Sequence, residues 1–172
     1  MENQNKISKT FLFITVLSFV LFLGSYLTKL NLLSQFFDAE TMTLKSIYEG
    51  SDLSLVMKSL LPSFSVSMIS FIAFVLFFIV YIMVTKINLR DEGWLFITII
   101  ILLITAPFEI FLLIKFDLPI ISELMQVSIR YDYIMSLIKN RITILGPFPL
   151  ILLFSYFVII YLSLFKPLQK NK

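Results

Sequence analysis

Charged residues are missing from four long stretches of this chain, and that gap is its dominant pattern. Thr10 to Thr28, Ser59 to Thr85 and Ile142 to Phe165 carry no charge, and Gly93 to Ile114 carries one ionisable residue, Glu109. About 20 apolar residues at ~1.5 Å each cross a ~30 Å hydrocarbon layer, so each stretch is long enough to span a bilayer. Inside lipid every backbone N–H and C=O needs an internal partner, which makes such stretches helices. The pattern predicts an all-α membrane protein with one domain over residues 1–172. Its four transmembrane helices lie at about 10–33, 60–85, 93–115 and 142–165, arranged as two tandem hairpins. A short polar turn from Lys86 to Gly93 joins the hairpins, and a long loop closes each one.

The second long loop has its own period. Ile121, Leu124, Met125, Ile129, Tyr133, Ile134, Leu137 and Ile138 recur near helical spacing, with Glu123, Arg130 and Asn140 between them. This predicts an amphipathic helix, lying on the outer membrane surface or capping the bundle. Gly146, Pro147 and Pro149 mark the return into the bilayer. The first span has the basic start of a signal peptide, with Lys6 and Lys9 ahead of Phe11 to Leu23. Phe22 and Leu23 do not suit a cleavage site near Gly24, so the span reads as a retained anchor.

Composition points the same way. Apolar residues make up 59% and charged residues 15%, against roughly 45–50% and about 25% in soluble domains. A soluble fold could not hide 19 phenylalanines and the aliphatic residues around them. The absence of Cys and His removes disulfides, thiol nucleophiles, the commonest metal ligands and the usual base near neutral pH. No phosphate-binding loop, metal cluster or catalytic pair is visible, so the chain reads as a non-enzyme without cofactor. A net charge of +3 spread over short segments gives no nucleic-acid footprint.

With four spans both tails share a side. Lys6, Lys9, Lys86, Arg90, Lys166, Lys170 and Lys172 then lie there, against Lys29, Lys45, Lys58, Lys115, Arg130, Lys139 and Arg141 on the other. The totals are equal, but the first set is concentrated on short segments beside the membrane. That density places both termini in the cytoplasm.

A few polar residues inside the spans are candidates for partner binding or helix packing. Ser63, Ser67 and Ser70 fall at i, i+4 and i+7, and small hydroxyl residues let helices approach closely. Thr98, Thr105 and Glu109 form a similar line. Glu109 is an intramembrane acid and therefore a functional candidate. It lies six residues before Lys115, ~9 Å at helical rise, and Pro107 should loosen the backbone beside it. Lys29 sits at a comparable level and could pair with it; a structural ion pair and a proton-relay site are both open. Trp94, Tyr26, Tyr81, Tyr156 and Tyr161 read as interfacial aromatics.

Ile160-Tyr161-Leu162-Ser163-Leu164-Phe165-Lys166-Pro167, the Lys-before-Pro stretch from Leu53 to Ser63, and Phe116-Asp117-Leu118 carry a family resemblance. With the four-span layout they resemble the immunity proteins against A-type pore-forming colicins. The middle of the last span aligns only with a gap, and the second long loop corresponds little. The resemblance implies a bacterial inner-membrane protein that binds a toxin's membrane-inserted pore domain laterally and keeps it closed. Its partners would be that pore domain and the lipid bilayer. A small transporter or an accessory subunit of a membrane complex is the alternative.

Overall fold

The computed structural model describes residues 2–38, 41, 43–48, 53–85, 92–144 and 148–168, and the side chains of these from residue 6 onward except Phe148. The described residues are mostly helical, with short turns and an isolated bridge between Phe37 and Leu44. Seven α-helices follow in chain order: α1 (Glu2–Phe36), α2 (Leu53–Lys58), α3 (Leu61–Thr85), α4 (Gly93–Leu112), α5 (Leu118–Leu124), α6 (Tyr131–Thr143) and α7 (Phe148–Phe165). Of the predicted turn from Lys86 to Gly93, residues 86–91 lie outside the described residues, as do Gly146 and Pro147, and Gly93 opens α4.

Three helical segments are long and apolar enough to cross a membrane: Lys6–Phe36, Leu53–Thr85 and Gly93–Leu124. α7 is shorter, with 18 residues, a reach of ~27 Å at helical rise. α1 and α3 run antiparallel. Ser8 Oγ and Thr85 Oγ1 are hydrogen-bonded at one end (2.8 Å), and Lys29 Nζ reaches Ser67 Oγ toward the other (3.4 Å). Phe19 on Phe74 (4.7 Å between ring centroids) and Phe22 on Phe71 (5.1 Å) fill the space between them. Tyr156 of α7 meets both rings edge-on, at 6.1 Å from Phe19 and 5.2 Å from Phe22. These edge contacts put ring hydrogens against the negative face of a neighbouring ring. α4 packs along α7, with Trp94, Leu95 and Leu162 buried together at the tail end. There Lys166 lies 5.7 Å over the Trp94 ring. Leu168 comes next in a left-handed conformation (φ 64°), and it sits where a Cβ on Gly93 would come within 2.8 Å.

The third apolar segment runs further than its charges predicted. Expected to end near 115, it continues through one π-helical turn, Leu113–Asp117, into α5 as far as Leu124. Pro119 supplies a reason for that turn. It has no N–H to offer the carbonyl four residues back, and its ring crowds that oxygen, so a wider turn relieves both.

The second loop helix forms, but in two pieces. α5 ends at Leu124, and α6 starts at Tyr131 with Ile134, Leu137 and Ile138 buried in the bundle core. Glu123 bridges the break: its carboxylate accepts hydrogen bonds from the Arg130 backbone N–H (3.0 Å), Nε (2.9 Å) and a terminal nitrogen (2.6 Å). Ile142 and Thr143, expected to open the last span, belong instead to α6, and the last helix begins at Phe148.

Candidate functional site

Four ionisable side chains from four helical elements meet inside the bundle. Lys29 (α1), Glu109 (α4), Asp117 (the π turn) and Arg141 (α6) are all 1–3% exposed. Asp117 is the hub. Lys29 Nζ donates to its Oδ2 at 3.0 Å, Arg141 Nε to Oδ1 at 2.5 Å, and an Arg141 terminal nitrogen to Oδ2 at 3.3 Å. Removing a charge from water costs several kcal/mol, so a buried ion persists only when paired and hydrogen-bonded. Here two cations face two carboxylates, and the cluster is formally neutral.

Local sequence explains how each group arrives. Lys29 is one turn past Tyr26 on the buried face of α1, and its ammonium lies 5.2 Å from the Tyr26 ring centroid and 5.3 Å from that of Phe64. Both rings offer their π faces to the cation. The Tyr26 hydroxyl donates to the Pro149 carbonyl at 3.3 Å, which ties α1 to the start of α7. Arg141 comes from the last turn of α6, whose apolar stripe turns it inward beside Leu137 and Ile138. The π turn carries Asp117 to a position between the two cations.

Glu109 joins this cluster by field and not by direct contact. It interacts electrostatically with Lys29, Arg141 and Asp117, and its carboxyl comes close to the Tyr156 hydroxyl. Neither Glu109 Oε1 nor Tyr156 Oη completes a hydrogen bond. The expected partnership of Lys29 with Glu109 is therefore corrected: the ion pair of Lys29 is with Asp117. Asp117 and Arg141, read from the sequence as charges of an outer loop, lie inside the bundle.

The remaining candidates separate. Ser67 lies beside Lys29, whereas the Ser70 hydroxyl turns back to the Val66 carbonyl at 2.5 Å. Thr98 and Thr105 donate to the carbonyls of Trp94 and Ile101, each at 2.9 Å, as hydroxyls on apolar helices commonly do. Thr105 is one turn before Glu109, while Thr98 lines a small cavity near the tail end with Phe19, Phe74 and Ile159. Ser63 is buried, and its hydroxyl has no hydrogen-bond partner. Among the described residues no cluster of His, Cys, Asp and Glu could hold a metal ion.

Asp117 and Arg141 were the residues missed. Their signal was the apolar run Leu118–Ile121 beyond Asp117, and the helical period that ends on Arg141. Lys115, which marked the expected exit, covers the rings of Phe111 (5.1 Å) and Phe116 (5.7 Å) from the outer surface. Comparison with protein-family models, with curated proteins and with solved structures gives no match.

Proposed function

We propose that this chain is an inner-membrane immunity protein that binds the membrane-inserted pore domain of a pore-forming bacteriocin and keeps it closed. In this reading α7 is the fourth span, the spans form two tandem hairpins, and both termini are cytoplasmic. The observation that carries it is how polarity is distributed. The buried charges neutralise one another, while the outward faces present Phe13, Val20, Ile69, Leu103 and Phe154, each 58–73% exposed. Such a molecule offers a partner in the bilayer only helix surfaces to recognise. The sequence resemblance at Ile160–Pro167, Leu53–Ser63 and Phe116–Leu118 supplies the identity of that partner.

The buried pairs also support the orientation. Lys29 and Arg141 are spent on Asp117 inside the bundle, so five basic residues remain on the loop side against seven on the tail side. Protection would arise because a ligand that binds the closed pore domain more tightly than the open one shifts the equilibrium toward closed. The test is survival of sensitive bacteria expressing this chain alone against a panel of pore-forming colicins. Protection from one toxin and not its relatives supports the reading; killing by every member counts against it.

The second reading is a small transporter or an accessory subunit of one. Glu109 Oε1 and Tyr156 Oη favour it, being buried polar atoms without hydrogen-bond partners. It requires proton or ion flux in liposomes that Glu109→Gln abolishes.

A further inference from the structure

We infer that the cavity where α1, α6 and α7 meet at the loop end of the bundle binds one phospholipid, whose headgroup carries both a phosphate and a primary ammonium. The cavity encloses about 350 Å³. Its wall is mostly apolar, built from Leu30 and Leu33 of α1, Phe37 just beyond it, Ile142 of α6, and Pro149 and Leu150 of α7. Leu33 and Phe37 are buried, and Leu150 is 55% exposed. Leu33 lies in the last turn of α1, and Pro149 and Leu150 lie in the first turn of α7. The cavity therefore sits where both helices reach the membrane surface, the level of lipid headgroups.

The loop after α1 makes this apolar cavity amphipathic. The bridge of Phe37 with Leu44 is flanked by backbone hydrogen bonds from Asp38 N to Thr43 O (2.9 Å) and from Lys45 N to Phe36 O (3.0 Å). That pairing brings Asp38 and Lys45 together on the cavity wall. Both also line a second, more polar hollow of about 450 Å³, shared with Thr41, Thr43 and Ser46. One acid and one base thus form the common wall of an apolar and a polar compartment.

Both side chains are half-buried and keep surface for a ligand. Lys45 Nζ donates to the Ser34 carbonyl at 2.7 Å, a neutral acceptor, and among the described residues no salt bridge includes it. Asp38 Oδ1 accepts from Thr41 N (3.0 Å) and Oγ1 (3.2 Å), which fixes the direction of the carboxylate. Arg141 lines the cavity too, but its guanidinium is engaged by Asp117.

The bilayer supplies molecules divided in the same way. An acyl chain suits the apolar cavity and a phosphate suits Lys45. In phosphatidylethanolamine the ammonium adds N–H donors for Asp38, giving a charge-assisted bond on each side. A head of net negative charge would answer Lys45 and be repelled by Asp38. Choline carries the positive charge but has no N–H to donate. This inference goes beyond the immunity reading and needs no toxin, so either can fail without the other.

The full chain in non-ionic detergent is mixed with equimolar phosphatidylethanolamine, phosphatidylcholine and phosphatidylglycerol of identical acyl chains. Native mass spectrometry then reads which lipid is retained. The expected result is a single phosphatidylethanolamine adduct, about fivefold more abundant than either competitor, the gain one partly exposed ion pair gives. Asp38→Asn keeps an acceptor for Thr41 and should bring phosphatidylethanolamine down to the phosphatidylcholine level. Lys45→Gln should lower retention of all three. Glycerophosphoethanolamine, the same head without chains, should not displace the lipid. Equal retention of the three lipids by the parent chain overturns the inference, as does a preference for phosphatidylglycerol. A preference for phosphatidylethanolamine that survives Asp38→Asn overturns it as well. Displacement by glycerophosphoethanolamine would leave the apolar cavity without a role and overturn it too.

Discussion

Lys29 and Arg141, contributed by α1 and α6, grip the same carboxylate, that of Asp117, at 3.0 and 2.5 Å. One acid thus ties the first helix to the loop helix through the turn that ends α4. Removing the shared partner leaves two buried cations with only Glu109 to offset them. Asp117→Asn should therefore destabilise the protein by about 3–5 kcal/mol, the usual result of breaking a buried pair from one side. Unfolding by SDS titration in mixed micelles reads this directly. A loss under about 1 kcal/mol would mean that water reaches the site and screens the cations.

Arg141 donates two hydrogen bonds in a fixed fork, which an ammonium cannot reproduce. Arg141→Lys keeps the charge and loses that geometry, so it should cost less than Arg141→Met while still falling about 1–3 kcal/mol below the parent. Because α6 is held by this fork together with Ile134, Leu137 and Ile138, the loss should appear as faster hydrogen exchange across residues 131–143. Unchanged exchange in both variants would show that the apolar stripe alone docks the helix.

Glu109 completes the charge balance without a direct ionic contact. Glu109→Gln keeps its size and leaves the cluster with one uncompensated positive charge. The expected cost is about 1–3 kcal/mol, smaller than for Asp117→Asn because no ionic hydrogen bond is broken. The same SDS titration compares the two variants. Parent-like stability would indicate that Glu109 holds a proton in the fold, and would favour the transporter reading.

These charges show where sequence reasoning succeeds and where it stops. Missing charges located α3 to within a residue at its start, because lipid tolerates nothing else over such a length. The same logic ended the third segment too early. Lys115 marked the exit and Asp117 read as a loop charge beyond it, but that charge is met by two cations from distant parts of the chain. Hydropathy carries no record of such a pairing. Residue spacing also set Lys29 and Glu109 at a common level without fixing how they are turned about their helix axes. One extra residue in a π turn rotates the downstream helix by ~100°, enough to decide which acid a lysine meets. In α6 the period was legible, but its break at Met125–Arg130 depends on the side chain of Glu123 holding the Arg130 backbone.

Packing contributes differently here from its role in a soluble core, because lipid is as apolar as the interior. Burial of Phe22 gains no transfer from water; its stabilisation comes from contacts with Tyr26, Phe71 and Tyr156. Phe22→Ala should cost about 3 kcal/mol, the lower end of the range for emptying an aromatic core position. Phe13→Ala, on the outward face of the same helix at 66% exposure, should change stability by no more than ~0.5 kcal/mol. Equal losses for the two would contradict the assignment of that face to lipid.

The absence of cysteine makes orientation directly measurable, since any introduced thiol is the single reactive site. Val127 is fully exposed in the break between α5 and α6, and Leu168 is 71% exposed beyond α7. If both termini are cytoplasmic, Val127→Cys should react with a membrane-impermeant maleimide in cells whose outer membrane alone has been opened. Leu168→Cys should react only after the inner membrane is permeabilised. Labelling of both positions in the first condition would place α7 outside the bilayer, leaving three crossings and the ends of the chain on opposite sides. The reverse pattern would keep four spans and invert the protein, setting the denser basic set on the outer face against the charge rule.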